Sequence, residues 1–235
     1  EMSEYPYLKR QKPLQYAKEN EVLFKEAIEA AKAADKVIFV GGLDHNYDIE
    51  GADRPDMKLP YDQDIIIEKL LDVRPDTIIV LNGGSPVEMP WLDKADTLIY
   101  NYYAGMENGT ALAKVIFGDD NPSGKLSESF PYKYSDTVTY KNGEFSKDDC
   151  IEYKEGVFYG YRYYEKEGID VAFPFGYGKS YTTFEYSDLT IKEVCTNACE
   201  KEGCDSALKV SLNVKNTGEV DGKEVVEIYV GENNP

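Results

Sequence analysis

Between residues 22 and 117, short runs of aliphatic and β-branched residues alternate with segments of helical period, and this alternation constrains the fold more than any other feature of the chain. Leu23, Ala27, Ala30, Ala31 and Ala34 recur at helical spacing within Val22–Asp35, which predicts an amphipathic helix. The run Val37-Ile38-Phe39-Val40 reads as a buried strand and is followed by Gly41-Gly42. The pattern then repeats: a helix over Ile65–Leu71, a strand over Thr77–Leu81, a helical turn over Val87–Asp93, a strand over Thr97–Tyr100 and a helix over Asn108–Phe117. Strands and helices alternating at this interval imply βαβ units, hence an α/β fold with a parallel-rich sheet covered by helices on both faces.

In open parallel sheets ligands gather at the carboxyl ends of the strands. Three segments occupy such positions: Gly41–Pro60, Asn82–Pro86 and Asn101–Glu107. The first far exceeds the usual length of a βα loop, and long ordered loops more often carry function than merely connect. Within it, residues 44–56 hold five carboxylates, one histidine and one arginine. A calcium loop would need oxygen ligands at alternate positions and a bidentate Glu at the twelfth, a spacing this segment lacks. The composition fits acid/base chemistry instead, in which one carboxyl sits partly desolvated with a cation nearby to order the loop or the substrate. Gly51 permits a tight turn beside Glu50, and Asp53 with Arg54 supplies an internal pair to stiffen it. No metal or cofactor is called for.

Beyond Phe117 the texture changes. Residues 119–124 are dense in turn formers, and the stretch to Gly178, rich in Tyr, Gly and Pro, reads as a mostly irregular wrap. After Tyr181, period-2 alternation at 189–191, 208–214 and 225–230 predicts half-buried antiparallel strands, with turns at 216–218 and 221–222. An immunoglobulin-like sandwich needs about seven strands, more than the residues before Pro235 hold.

The charge balance excludes some partners. With 44 acidic against 26 basic residues the formal charge is -18, which repels nucleic acid. No run reaches the length of apolar residues that a membrane helix needs, and Glu1–Arg10 has no signal-peptide core, so any secretion signal is expected upstream. Cys150, Cys195, Cys199 and Cys204 fit two disulfides in an oxidising compartment, with the pairing open, and their spacing disfavours a zinc cluster. A secreted or extracellular location, or a periplasmic one, is therefore expected. The 20 tyrosines suit sugar stacking as well as ordinary packing, and Asn108-Gly109-Thr110 is a glycosylation sequon.

Glu50-Gly-Ala-Asp-Arg54 with Lys58-Leu-Pro60 resembles the E-G-x-D-R…L-P signature of glycoside hydrolase family 3, in its β-glucosidase and β-xylosidase subgroup. Further matches follow in family order: Asn82-Gly-Gly-Ser-Pro-Val87 with Trp91, Tyr103-Ala-Gly-Met-Glu-Asn-Gly109, and Asn121-Pro-Ser-Gly-Lys-Leu126 with Ser129-Phe-Pro131. Tyr159-Gly-Tyr-Arg-Tyr-Tyr164, the segment 173–184 and the segments 213–218 and 224–230 complete the series, the last two resembling the start of the family's fibronectin type III domain. The resemblance implies a partial α/β/α sandwich followed by the start of a fibronectin type III-like β-sandwich. It divides the chain into an entry segment 1–20, where some relatives carry an inserted domain, a sandwich portion 21–180 and an incomplete β-domain 181–235.

What the resemblance implies for function is a retaining, exo-acting β-D-glucosidase, with β-D-xylosidase or a non-catalytic carbohydrate-binding or structural fragment as the alternatives. Glu50 matches the family's general acid/base, which protonates the leaving oxygen and then deprotonates the attacking water. The nucleophile belongs to a (β/α)8 barrel supplied in cis or by a partner chain, so this chain alone is expected to be inactive. His45, Tyr47, Asp53, Arg54, Asn82 and Ser85 are the candidate substrate contacts. Loop ordering is the competing role for Asp53 and Arg54. The expected partner is a β-linked oligosaccharide or glucoside, and homo-oligomerisation is left open.

Overall fold

The computed structural model describes residues 19–51, 54–143, 152–195 and 206–231. Their elements are α1 (Glu19–Ala33), β1 (Ile38–Gly42), α2 (Gln63–Val73), β2 (Ile78–Asn82), β3 (Thr97–Tyr100), α3 (Asn108–Phe117), β4 (Phe130–Pro131), α4 (Val138–Asn142), α5 (Tyr161–Glu167), β5 (Val171–Phe173), β6 (Phe184–Cys195) and β7 (Ser206–Asn216). They fall into two compact units, one drawn from residues 1–112 and 127–175, the other from 113–126 and 176–235.

The first unit is built on a parallel sheet of order β1-β2-β3. Ile79, Val80 and Leu81 of the central strand are fully buried, as a strand packed on both faces requires. β1 differs from the expected buried strand, because Ile38 and Val40 are exposed while Phe39 packs inward. It is an edge strand, and the described residues cover only one of its faces.

Helix α1 packs on α2 through Phe24, Ile28 and Ala31, which meet Ile66, Leu70, Val37 and Phe39. Of the stripe expected, Ala31 is buried, whereas Leu23, Ala27, Ala30 and Ala34 are exposed, so the buried face is turned toward Phe24 and Ile28. Burying a phenylalanine and an isoleucine gains more apolar area than burying alanines, so the large side chains choose the face. Arg74, just after α2, fastens the pair. Its guanidinium donates to the carbonyls of Ala31, Ala34 and Asp35, satisfying the open end of α1, and also bonds Asp76.

The segment expected to turn helically, Val87–Asp93, is extended until a short 3-10 turn at Leu92–Lys94. Val87, Met89 and Trp91 alternate inward and are buried, so their period is two rather than 3.6. Trp91 donates its indole N–H to Asp64 Oδ1 of α2 at 2.8 Å. Burial pushes the Asp64 carboxyl up, and the indole bond opposes that shift.

The end of β1 is shaped by its two glycines. Gln63 receives the Gly42 N–H at 2.7 Å and donates to the Gly42 carbonyl at 2.8 Å, taking the place of a neighbouring strand. Gly42 has φ +124°, and a Cβ there would stand 1.9 Å from the Asn82 carbonyl oxygen, a backbone atom that cannot swing aside. Gly42→Ala should therefore destabilise this unit by about 3 kcal/mol. Faster hydrogen exchange of β1 and β2 amides checks this.

The stretch 125–178 is less irregular than expected: it contains α4, α5 and the antiparallel pair β4–β5, with Phe130 opposite Phe173. Edge-to-face ring contacts run from Tyr102 to Tyr100 to Phe130 to Phe173, at centroid distances of 5.0, 4.8 and 6.4 Å. They tie the end of β3 to the β4–β5 pair.

In the second unit β6 and β7 pair antiparallel, with an irregularity between Ser187 and Thr190. The motif residues at 121–126 act there as fasteners. Asn121 bonds Ser180, the Tyr181 N–H and the Asp221 carbonyl. Lys125 reaches the Gly178 carbonyl at 2.7 Å and Glu224 at 3.2 Å. Residues 225–230, expected as a strand, form none and leave their valines and Ile228 exposed. An alternating segment becomes a strand only when a neighbouring strand takes its backbone bonds, and among the described residues no strand pairs with this one. Cys195 ends β6, while Cys150, Cys199 and Cys204 lie outside the described residues.

Candidate active site

The three post-strand loops converge at the carboxyl edge of the sheet. Asp44 organises the first limb of the long loop: its carboxylate accepts from the Asn46 N–H at 2.8 Å and from the Tyr61 hydroxyl at 2.7 Å. Its carbonyl accepts from Tyr47 and Asp48, each at 2.9 Å, closing a tight turn. The Tyr61 hydroxyl is held above its ordinary value by burial and by the Asp44 bond. Tyr47 packs edge-on to Tyr61 with centroids 5.3 Å apart.

Two sets of bonds join this loop to its neighbours. Asp48 Oδ2 accepts from the Tyr103 hydroxyl of the post-β3 loop at 2.9 Å and from the Gly84 N–H of the post-β2 loop at 3.3 Å. Arg54 Nη2 donates to Ser85 Oγ and to the Pro86 carbonyl, each at 2.9 Å. Beneath lies a cleft of about 440 Å³ lined in part by Tyr47, Asp48, Ile49, Arg54, Ser85 and Glu128. Burial pushes the Glu128 carboxyl up, opposed by the Arg54 charge. Arg54 Nη1 is buried with no hydrogen-bond partner among the described residues.

Of the residues singled out from sequence, Tyr47, Arg54 and Ser85 meet in this cleft. Glu50 lies on the same loop but is exposed and does not line the cleft, which differs from the partly desolvated carboxyl expected, and His45 is exposed on the limb before it. Asn82 serves a polar network: it donates to the Gly41 carbonyl at 3.2 Å and accepts from Asn101 at 2.8 Å, which also bonds Asn108 at 2.6 Å. Asp53 lies outside the described residues. Asp48, Tyr103 and Glu128 carry no mark in the sequence that sets them apart as site residues. Asp48 is one carboxylate among five in its loop, and Tyr103 opens the 103–109 motif with nothing local that marks it for the site, so only the bond between them sets either apart. Among the described residues no helix is long and apolar enough to cross a membrane, and no cluster of His, Cys, Asp and Glu is placed to hold a metal.

The fold and the loop cluster define a mixed α/β domain with an acid-rich site at the carboxyl edge of a parallel sheet. Residues 5–181 match the model of the glycosyl hydrolase family 3 C-terminal domain. The chain belongs to glycoside hydrolase family 3 and forms part of its C-terminal portion. It is 46% identical over 213 residues to a thermostable β-glucosidase B of Acetivibrio thermocellus, covering 90% of this chain and 27% of that protein. A β-glucosidase of Bacteroides ovatus is 43% identical over 215 residues, 89% of this chain and 28% of that protein. The crystal structure of a β-glucosidase from Streptomyces venezuelae in complex with D-glucose superposes with TM-score 0.76 at 36% identity, covering 84% of this chain and 24% of that one. The chain thus spans about a quarter of the length of the curated relatives it matches.

Proposed function

We propose that this chain is the acid/base-bearing part of a retaining, exo-acting β-D-glucosidase, with Glu50 as the general acid/base. The observation that carries the reading is the placement of Glu50. It lies on the long loop after β1, in the E-G-x-D-R motif, between the bonds of Asp48 and those of Arg54, with its carboxyl open to solvent. In the first step Glu50 protonates the glycosidic oxygen as the aglycone leaves; in the second it takes a proton from the water that releases the sugar. The nucleophile comes from a barrel in cis or on a partner chain, so the chain by itself is inactive. Relatives that are β-glucosidases, one of them crystallised with glucose, support a glucoside as the substrate.

Tyr47, Arg54 and Ser85 shape the leaving-group side, with His45, Asn82 and Asp53 as further candidates on the same loops. The β6–β7 pair supports reading residues 181–235 as the start of a fibronectin type III-like domain after a sandwich portion at 21–180. The four cysteines support a secreted, disulfide-bonded protein.

The test uses the full-length protein. Aryl β-glucosides should be hydrolysed in preference to aryl β-xylosides, and the anomer first seen by proton NMR should be β. A xyloside preference would reassign the substrate, an α anomer would exclude retention, and no hydrolysis of either would leave the non-catalytic alternative.

A further inference from the structure

We propose that Asp48 and Tyr103 are positioning residues that hold the Glu50 carboxyl where a leaving-group oxygen can take its proton. The inference rests on Glu50 being the acid/base. Three independent features of the loop junction carry it.

The first is connectivity. Asp48 stands two residues before Glu50, so the two Cα atoms are within about 7 Å of each other whatever the intervening backbone does. Fixing Asp48 therefore fixes one end of the short segment that carries the acid. The second is the nature of the fixing bonds. One oxygen, Asp48 Oδ2, receives both the Tyr103 hydroxyl at 2.9 Å and the Gly84 N–H at 3.3 Å. Donors to a carboxylate are stronger than neutral pairs, and these two come from the loops after β3 and β2, which the sheet holds in register. Burial, followed by the bond to Asp48, pushes the Tyr103 hydroxyl up to about 12, so it stays a donor at any working pH. The third is the room left for the junction. A Cβ on Gly84 would stand 3.0 Å from Asp48 Oδ2 and 3.2 Å from Tyr103 Cε2, so a side chain there would press on the Asp48–Tyr103 pair and make it give by a few tenths of an ångström.

Arg54, four residues after Glu50, is held in its turn by bonds to Ser85 and Pro86. General acid catalysis is sensitive to such placement, since a misplacement of 1 Å can cost on the order of 100-fold. Asp48 and Tyr103 act on the reaction only through Glu50.

The experiment measures kcat/KM of the full-length enzyme for a series of aryl β-glucosides of rising leaving-group pKa. Tyr103→Phe should lower kcat/KM by about 10- to 100-fold for poor leaving groups, and by less than about 3-fold for dinitrophenyl β-glucoside, whose departure needs no proton. Asp48→Asn, which keeps a carbonyl acceptor, should retain more activity on poor leaving groups than Asp48→Ala. A purely structural role lowers the active fraction and reduces all substrates alike, leaving the slope of rate against leaving-group pKa unchanged. That unchanged slope, or no loss in Tyr103→Phe, overturns the proposal. Glu50→Ala run in parallel separates the two readings. If Glu50→Ala steepens the slope and Tyr103→Phe does not, positioning fails and the acid/base assignment stands; if neither does, both fail.

Discussion

Glu50→Ala in the full-length enzyme should lower kcat/KM for alkyl and sugar β-glucosides by about 100- to 10,000-fold, the range that general acid catalysis supplies. The loss should shrink as the leaving group improves, because a dinitrophenolate departs without protonation. With such a substrate the first step survives and the second becomes limiting, since no base remains to activate water. Azide needs no base, so its addition should restore turnover and yield β-glucosyl azide. Steady-state rates across the aryl series, with and without azide, measure both effects. Equal losses for all leaving groups, with no response to azide, would remove Glu50 from proton transfer and leave it a structural role.

Trp91→Ala should destabilise the first unit by about 3–5 kcal/mol, as the loss of a large, fully packed aromatic does. Trp91 is 1% exposed and is the largest of the fully buried side chains. Trp91→Phe separates packing from polarity: it keeps most of the apolar area but removes one donor to Asp64, leaving the partly buried carboxylate its Leu59 backbone bond, at a cost of about 1–3 kcal/mol. The sign of its pH dependence follows from Asp64. Burial already raises that carboxyl and the indole bond lowers it, so removing the bond raises it further. A group raised in the folded state contributes stability below its unfolded value and loses it as the pH climbs through the folded one. The Trp91→Phe penalty should thus be smaller in the acid range than at neutral pH. Hydrogen exchange of the β2 amides at several pH values reads both the size and the sign.

Trp91 also illustrates how far one chain can be read. Its motif is legible in the sequence, but the same residues predict a helical turn that the structure does not form. Val87, Met89 and Trp91 fit a two-residue period as well as a helical one over so short a span, and only the partners at α2 choose between them. The same holds for α1, whose existence was plain while its buried face was not, since Phe24 and Ile28 compete with a stripe of alanines for the core. Residues 225–230 alternate like a strand and form none, because alternation describes side chains, whereas a strand needs a neighbour for its backbone.

By itself the sequence determined the family, the parallel α/β frame, the order of the three strands along the chain and the loop most fit for acid/base chemistry. These follow from local periodicity and from motifs contiguous in the chain. Tertiary structure decided that Asp48, two residues from Glu50, meets Tyr103 and Gly84 from two other loops, and that Arg54 turns toward Ser85 and Pro86. Those contacts join residues 31 to 55 positions apart. No local pattern encodes them; the register of β1, β2 and β3 brings their loops to one edge, where a single carboxylate can hold all three.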